Sequence, residues 1–515
     1  MLATAIGMGT AAHAAGPACG KALNLTITYP AKVRLTGAQW VPPAAAGTVT
    51  ARAGQPPLDV ALPGYCKITG MINERTGAGG RSFGIGFVIA LPADWNGRLL
   101  FQGGGGLNGV LNPPLGTQAT GDRPALARGF AVVSTDGGHQ SPRGFDFSFS
   151  DDQGAALDFA NSSMPMTTLV AKQVVAAHYG RPAHHSYIVG CSTGGREAML
   201  AAERYPDMFD GVVAGAPAMR TGFSNITTSY ITATLNRAAP KDATGRPTAL
   251  FSAGDKALIV RAMLDDCDGL DGLKDGVIAR YGACHFRPAR IECSGAKTAT
   301  CLTSAQVKAL DTAFLPPRDA AGAVIYPAFP WDTGVVFDGP GIPGILVNGV
   351  ATPLGPANTA TTVDLDARVQ AARADAMQAL TDTNVWTSLN TFLDRGGKII
   401  WYHGTSDPWF SPLDTQDYYE RAAKQNGARW DGSARLYMVP GMGHCGGGTN
   451  TFDQFDLLTK VVDWVEHGSA PSDVPAHRKL PTPADRPLCP WPSYPRYKGT
   501  GNEADRASFQ CSISS

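Results

Sequence analysis

One serine in this chain stands in a context typical of a catalytic nucleophile. Ser192 lies in the run Gly190–Gly195, which reads Gly-Cys-Ser-Thr-Gly-Gly and fits the pattern G-x-S-x-G. A β-branched segment, Ser186–Val189, precedes it, and a helix-forming segment, Arg196–Ala202, follows it. This strand–turn–helix context presents a serine hydroxyl at the apex of a sharp turn, where glycines avoid a Cβ clash. The first helical amides, including that of Thr193, then point at any oxyanion formed in front of the serine.

A serine nucleophile needs a base to take its proton, and the base needs a group to orient it. Two later loops supply these residue types in the order Ser, Asp, His, which is the order found in α/β-hydrolases. Asp407 follows the strand-like segment Ile399–Tyr402, and His444 follows the strand-like segment Leu436–Val439. Both residues come at the carboxyl ends of predicted strands, where parallel sheets place their active sites. The sequence therefore predicts a triad of Ser192, His444 and Asp407.

Two cysteines flank this triad. Cys191 directly precedes the serine, and Cys445 directly follows the histidine. If the serine and the histidine touch, their neighbours approach within the short Cα separation that a disulfide requires. We therefore expect a Cys191–Cys445 bridge between the two loops, which the loop-entropy model values at roughly 5 kcal/mol.

Other interpretations of these residues stay open in the sequence. The run around Ser192 also fits a plain glycine-rich turn, and Cys191 is a rival nucleophile that a disulfide would remove. Two further histidines, His403 and His139, come at the ends of strand-like segments and compete with His444 as the base.

A glycine run follows another predicted strand. After Arg98–Phe101 comes Gln102–Gly109, which holds four consecutive glycines. Backbone amides in such a loop allow close approach to a ligand, and the second oxyanion donor belongs here in an α/β-hydrolase. We therefore assign that role to Gly104 or Gly105. A plain flexible loop is the alternative, whereas a Walker phosphate loop would need Gly-Lys-Ser/Thr where this chain has Leu107.

The elements around these loops predict a mostly parallel sheet. Strand-like and helical segments alternate through Gly129–Asp136, Ala155–Tyr179 and Phe209–Pro217. This alternation indicates βαβ units, with helices on both faces of the sheet. The rhythm stops after residue 217 and returns near residue 391. We expect a discontinuous catalytic domain over residues 16–217 and 391–515, with residues 218–390 inserted as a second domain.

Composition narrows the possible partners and the compartment. The chain has 515 residues, and its 43 basic and 43 acidic residues cancel. With no Lys/Arg block and no apolar run of membrane-spanning length, we expect neither nucleic acid nor a membrane as the main partner. Residues 1–15 are small and apolar and end in the A-x-A-like Ala12-His13-Ala14, so we interpret them as the remnant of a signal peptide. Ten cysteines agree with an exported protein, secreted or periplasmic.

With these motifs in place, the chain resembles the tannase/feruloyl esterase family, which includes the MHET hydrolases, esterases of mono(2-hydroxyethyl) terephthalate. The resemblance covers nearly the whole chain and rests on Gly103–Gly106, Gly190–Arg196, Ala214–Pro217, Asp407 and Gly441–Cys445. It implies an α/β-hydrolase fold with residues 218–390 as a large lid domain, and hydrolysis of aromatic carboxylic esters. The spacing of the eight other cysteines does not fix their connectivity. The resemblance implies the pairs Cys19–Cys66, Cys267–Cys284, Cys293–Cys301 and Cys489–Cys511.

An acidic stretch in the insert is a candidate calcium site. Residues 265–278 alternate acidic residues with glycines, which lets several oxygens turn toward one hard cation. The spacing is not that of an EF-hand, and the stretch alone also fits a solvated acidic turn. The resemblance implies a structural Ca²⁺ in the lid, and we expect no organic cofactor. The matching ligands are the carboxylates of Asp268, Asp271 and Asp275 and the carbonyls of Leu273 and Val277.

Aromatic residues of the insert are candidates for contact with an aromatic substrate. Phe329, Trp331 and Phe337, together with Trp386, form this set, although buried core aromatics would give the same pattern. The resemblance to MHET hydrolases implies a lid arginine on the free carboxylate of the substrate, a bidentate contact that lysine does not reproduce. Between Trp331 and Asn348 this chain has no Arg or Lys. A neutral or phenolic acyl group, such as ferulate, gallate or benzoate, fits at least as well as terephthalate.

The sequence thus predicts an exported serine esterase that acts on small aromatic esters through an acyl-enzyme. Three alternatives share these features: an MHET hydrolase proper, a serine peptidase or amidase, and a non-catalytic binding protein on a hydrolase scaffold. The oligomeric state stays open between monomer and dimer.

Overall fold

A computed structural model describes residues 19–20, 25–27, 32–51, 55–141, 145–337, 342–352 and 356–513. The expected signal remnant, residues 1–15, lies outside these residues. Within them, the main sheet has nine strands: β1 (Val33–Val41), β2 (Tyr65–Thr76), β3 (Ser82–Pro92), β4 (Arg98–Gln102), β5 (Ala131–Thr135), β6 (His185–Cys191), β7 (Gly211–Gly215), β8 (Lys398–Gly404) and β9 (Ala434–Val439).

These strands pair in the order β1-β2-β3-β5-β4-β6-β7-β8-β9. Strands β1 to β3 and the β3–β5 pair are antiparallel, whereas every pairing from β5 through β9 is parallel. The parallel strands are almost entirely buried, as in β6 and β8. Parallel strands covered on both faces need such continuous apolar runs, which is why the sequence signals them clearly.

Helices cover the sheet on both sides. The helices are α1 (Gln153–Leu157), α2 (Ser163–Tyr179), α3 (Thr193–Arg204), α4 (Thr221–Ala238), α5 (Ala253–Cys267), α6 (Ser304–Ala313), α7 (Leu365–Ala374), α8 (Ala376–Thr381), α9 (Asn390–Asp394), α10 (Pro412–Asn426), α11 (Ala428–Asp431) and α12 (Leu457–His467). The helix expected over Ala155–Tyr179 consists of α1, a π-helical turn over Asp158–Ser162, and α2. It ends at Gly180, which has a left-handed φ of 70°.

The insert, residues 218–390, falls between the adjacent strands β7 and β8. Its described part consists of helices α4 to α8 and 3₁₀ turns, and it adds no strand to the main sheet. The insert does not have a separate core, because Ile226, Leu258 and Leu310 belong to the same hydrophobic cluster as Phe101 and Ile188 of the sheet. The carboxyl-terminal segment adds two small sheets, formed by β10 (Gln454–Phe455), β11 (Val474–Arg478) and β12 (Ala484–Leu488), and by β13 (Ser493–Tyr497) and β14 (Phe509–Ile513).

All five expected disulfides are present. They join Cys19 to Cys66, Cys191 to Cys445, Cys267 to Cys284, Cys293 to Cys301, and Cys489 to Cys511. No helix in the described part of the chain is both long and apolar enough to span a membrane. The parallel sheet, its order and its helical cover confirm the α/β-hydrolase fold.

Candidate active site

Four loops meet at the carboxyl edge of the parallel strands. The glycine run follows β4, Ser192 follows β6, Asp407 follows β8 and His444 follows β9. Because parallel strands end at one edge of a sheet, residues distant in sequence come together there. The sheet therefore brings together the three residues expected to form the triad.

Ser192 occupies a strained turn between β6 and α3. Its φ and ψ are 63° and −123°, a backbone conformation that non-glycine residues rarely adopt. The glycines around it have no room for a side chain: a Cβ on Gly190 would lie 2.4 Å from the Gly194 carbonyl, and one on Gly195 would lie 2.2 Å from the Gly215 oxygen. The observed turn is the sharp elbow that holds a nucleophile clear of the backbone.

The Cys191–Cys445 disulfide joins the serine loop to the histidine loop. The two Cα atoms are 5.9 Å apart although 254 positions separate the cysteines in sequence. This confirms the expected bridge and removes Cys191 as a rival thiol nucleophile. Among the described residues there is no free cysteine.

Asp407 and His444 form a close, buried pair. His444 Nδ1 lies 2.7 Å from Asp407 Oδ2, and the side chains are 5% and 0% exposed. Oδ1 of Asp407 accepts the backbone N–H groups of Trp409 at 2.8 Å and Phe410 at 3.1 Å. Burial alone would raise the pKa of Asp407, but the neighbouring His444 and His403 outweigh it and hold the pKa well below its usual range. Asp407 is thus an ionised carboxylate that orients His444.

The other nitrogen of His444 is the atom available for proton transfer. Nε2 is buried and makes no hydrogen bond within the described part of the chain. The imidazole contacts the rings of Trp409 and Phe410, with centroids 5.5 and 5.4 Å away. Both rings line the same cavity as Ser192.

The two rival histidines have different surroundings. His403 is fully buried behind Asp407, with Nε2 at 3.1 Å from Asp407 Oδ2. His139 stacks on Phe149 at 3.8 Å, and neither of its ring nitrogens has a hydrogen-bond partner among the described residues. Burial lowers the pKa of His139 to about 4. Of these three histidines, His444 is the one that both pairs with Asp407 and contacts two rings of the cavity wall, Trp409 and Phe410.

The glycine loop lies where it was expected, but the amides of Gly104 and Gly105 already donate hydrogen bonds to side chains. Gly104 N–H donates to Glu197 Oε2 at 2.9 Å, and Gly105 N–H donates to Asn108 Oδ1 at 3.0 Å. These contacts correct the assignment of Gly104 and Gly105 as oxyanion donors. Their amides instead hold the shape of the loop, through side chains that sequence alone did not connect to it.

The next glycine faces the cavity. Gly106 lines it together with Ser192 and Thr193, and its carbonyl accepts a hydrogen bond from the Thr193 hydroxyl. Among the described residues, no backbone carbonyl accepts its N–H. The amide of Thr193 lies in the first turn of α3, where helical amides have no intrahelical acceptor. Gly106 and Thr193 therefore place two backbone amides at the edge of the cavity.

The cavity beside Ser192 is small and largely aromatic. Its volume is about 230 Å³. The aromatic rings that line it come from two segments of the chain: Phe145, Phe147, Phe159, Trp409 and Phe410. Leu107 and Met377 add apolar surface, and Arg196 is the charged lining residue among those described. Arg196 itself donates to the carbonyls of Phe159 at 3.2 Å and Ala160 at 3.5 Å.

The aromatic residues expected to contact the substrate lie elsewhere. Trp331 stacks on Phe314 with centroids 3.6 Å apart, Phe329 is buried in the core, and Phe337 is half-buried outside the cavity lining. Trp386 is exposed and also outside it. The structure corrects the expectation, since core packing within the insert takes up Phe329 and Trp331, and Phe337 lies outside the cavity lining. The sequence did hold a signal for the true lining residues, because Trp409 and Phe410 follow Asp407 almost directly and so had to lie near the active site.

One residue of the insert binds both of the loops that carry Asp407 and His444. Asp332 is fully buried and accepts the hydroxyls of Thr405 and Ser406, the latter at 2.9 Å, and the N–H of Gly441 at 2.7 Å. Burial raises the pKa of Asp332, and these donors oppose the shift. This contact was not predictable from sequence, because nothing local to Asp332 marks it.

The candidate calcium loop has carboxylates suited to Ca²⁺, but an arginine side chain already binds one of them. Burial raises the pKa of Asp271 to about 7, and the nearby carboxylates of Asp275 and Asp268 add to the rise. Such crowding of carboxylates favours a cation. Asp275 already accepts from Arg486 at 2.6 Å, however, and the described residues contain no cluster of three His, Cys, Asp or Glu side chains arranged to hold a metal.

Comparison with known proteins agrees with the fold. The family model for tannase and feruloyl esterase matches residues 66–512. The chain is 38% identical to a mono(2-hydroxyethyl) terephthalate hydrolase of Piscinibacter sakaiensis, over 88% of this chain and 85% of that protein. It is 30% identical to feruloyl esterase B of Aspergillus niger, over 82% of each. The crystal structure of feruloyl esterase B from Aspergillus oryzae superposes with a TM-score of 0.74 at 26% identity, covering 96% of this chain and 99% of that one.

The fold and site define an α/β-hydrolase. More narrowly, the chain belongs to the tannase and feruloyl esterase family and is a carboxylic ester hydrolase.

Proposed function

We propose that this protein is an exported serine esterase that cleaves aromatic carboxylic esters through an acyl-enzyme. The observation that carries the proposal is the short Asp407–His444 hydrogen bond, whose imidazole packs on Trp409 and Phe410 of the cavity that Ser192 also lines. His444 Nε2 takes the proton of Ser192 Oγ as that oxygen attacks the ester carbonyl, and then gives it to the departing alcohol. A water activated by the same imidazole releases the acid.

In this proposal the amides of Thr193 and Gly106 stabilise the oxyanion of each tetrahedral intermediate. Backbone donors fixed by a helix and a rigid loop need no rearrangement as charge develops, so they act most strongly in the transition state. Glu197 and Asn108 support this arrangement by binding the preceding amides of the glycine loop. The expected pair of Thr193 with Gly104 or Gly105 is thereby replaced by Thr193 with Gly106.

The aromatic cavity supports an aromatic acyl group as the bound part of the substrate. Five rings around a space of about 230 Å³ suit a single aromatic ring. The relatives named as feruloyl esterase and mono(2-hydroxyethyl) terephthalate hydrolase support the same substrate class. Neutral or phenolic acyl groups are proposed as the preferred ones, because the one charged lining residue described, Arg196, already binds backbone carbonyls.

Ser192→Ala tests the reaction directly. The variant should fold as the parent does and lose hydrolysis of feruloyl, galloyl, benzoyl and terephthaloyl esters, because it lacks the attacking oxygen. Anilides of the same acids, assayed in parallel, separate an esterase from an amidase. Full ester turnover by Ser192→Ala would remove this serine from the mechanism.

We also propose export and a structural Ca²⁺. Five disulfides support an oxidising compartment. The proposed calcium ligands are the carboxylates of Asp268, Asp271 and Asp275 and the carbonyls of Leu273 and Val277; calcium would neutralise crowded carboxylates and brace the lid. Calcium should raise the melting temperature of the parent but not that of Asp271→Asn. An equal response from both proteins would contradict this site.

A further inference from the structure

A second histidine binds the carboxylate that orients His444. His403 lies at the end of β8, is fully buried, and takes no part in the proton transfers proposed above. Its Nε2 lies 3.1 Å from Asp407 Oδ2, the same oxygen that receives His444 Nδ1 at 2.7 Å. One carboxylate oxygen thus lies between two imidazoles.

The surroundings of His403 fix the proton on Nε2. That nitrogen faces two groups, Asp407 Oδ2 at 3.1 Å and the Phe410 carbonyl at 3.0 Å. A carboxylate and a carbonyl only accept hydrogen bonds, so Nε2 must be the donor. Nδ1 faces the hydroxyl of Thr415 at 2.9 Å, which satisfies that nitrogen. His403 is therefore held in one orientation, with its N–H aimed at the catalytic carboxylate.

This contact completes the ring of donors around Asp407. Oδ1 takes two backbone amides, and Oδ2 takes His444 and His403. With donors on both oxygens the carboxylate plane cannot rotate, so Oδ2 stays aligned with His444 Nδ1. A carboxylate free to rotate would let the His444 imidazole turn away from Ser192, and misplacement by about 1 Å costs roughly 100-fold in rate.

We propose that His403 is a positioning residue for the esterase reaction, acting through Asp407 on His444. The inference rests on the proposed function, since it needs His444 as the base. It assigns a role in catalysis to a histidine that touches neither substrate nor nucleophile.

Two amide substitutions separate this role from simple packing. In His403→Gln the side-chain amide reaches the place of Nε2 and still donates to Asp407. In His403→Asn the shorter amide reaches only the place of Nδ1, so it keeps Thr415 and loses Asp407. Both replace the ring by a polar amide, and the volume that each loses is reported by its melting temperature. Packing alone therefore does not predict a fall in kcat at constant KM that is confined to His403→Asn. Trp430→Phe serves as a packing control. Trp430 is buried and stacks on Trp401 of the same strand as His403, with ring centroids 5.5 Å apart.

The assay is kcat and KM on an aromatic ester, with melting temperatures of the same samples. We expect His403→Gln to keep kcat within about fivefold of the parent. His403→Asn should lose roughly 10- to 100-fold in kcat, as for one charge-assisted hydrogen bond, with KM within about twofold. Trp430→Phe should lower the melting temperature without changing kcat.

Equal kcat values for His403→Gln and His403→Asn would overturn the proposal, whatever their level. If His403→Asn does not fold, His403→Met replaces it, since methionine matches glutamine in length and has no donor. Ser192→Ala keeps the two proposals apart. An inactive Ser192→Ala with equal His403 variants refutes only the role of His403, whereas an active Ser192→Ala refutes the proposed function itself.

Discussion

Removing the Cys191–Cys445 disulfide should damage activity more than stability alone accounts for. The perturbation is the double variant Cys191→Ala with Cys445→Ala. The bridge closes a loop of 254 positions, so its loss should destabilise the fold by about 5 kcal/mol in the loop-entropy model. The sulfurs also hold two strained residues, since Ser192 and Cys445 have φ values of 63° and 66°. Backbone strain of this kind costs about 1–3 kcal/mol per residue, and both loops can relax once the bridge is gone.

Relaxation of either loop separates the serine from the imidazole. We therefore expect kcat to fall by about 100-fold or more at a temperature where the variant is still folded, because misplacement by about 1 Å costs that much. The assay combines urea unfolding with kcat on a feruloyl or benzoyl ester at 15 °C.

The matched control removes the Cys293–Cys301 disulfide of the insert. That bridge closes a loop of 8 positions, so its loss should cost about 2–3 kcal/mol and leave kcat unchanged. The reasoning is refuted if the Cys191/Cys445 variant, folded at the assay temperature, keeps the parent kcat.

Three further substitutions test individual contacts. Asp332→Ala leaves two hydroxyls and two backbone N–H groups without their buried acceptor, so we expect a loss of about 3 kcal/mol in the free energy of unfolding and a lower kcat; a parent-like kcat would show that the insert does not position the active-site loops. Trp409→Ala should raise KM for benzoyl esters roughly tenfold and change KM for acetyl esters little, since only the larger acyl group fills the aromatic cavity; equal changes would contradict that placement. Asp407→Asn tests the lowered pKa of Asp407: a depressed folded-state pKa stabilises the fold fully above the unfolded value of about 4. The difference in the free energy of unfolding between parent and variant, measured by urea unfolding between pH 3 and 7, should therefore be constant from pH 7 down to about pH 4 and shrink below it. A difference that grows below about pH 4 would show that the lowered pKa of Asp407 is not its cause.

The residues with local signals were the ones predictable from sequence. Ser192, Asp407 and His444 each follow a strongly apolar strand, and the order of the three in the chain fits only a few known arrangements. The helix ending at Gly180 was equally clear, because a glycine directly follows its last apolar turn. The family resemblance supplied the pairing of the eight cysteines outside the active site, which spacing alone left open.

The site predictions that were wrong, and the residues that were missed, depend on contacts between distant segments. Whether the amide of Gly104 faces a substrate or Glu197 is decided by a helix 93 positions away. Trp331 packs on Phe314 within the insert, so this aromatic residue serves packing and does not contact the cavity. Asp332 looked ordinary in sequence, since its partners come from other loops. His403 was marked only as a rival base, and its contact with Asp407 had no signal of its own.

Covalent labelling with a fluorophosphonate tests the central claim most directly. The reagent reacts with a serine only where a base and an oxyanion site activate it. Peptide mass spectrometry of the labelled protein should locate one adduct, on Ser192, and labelling should disappear in Ser192→Ala and slow strongly in His444→Ala. An adduct on another residue, or unchanged labelling in His444→Ala, would contradict the account.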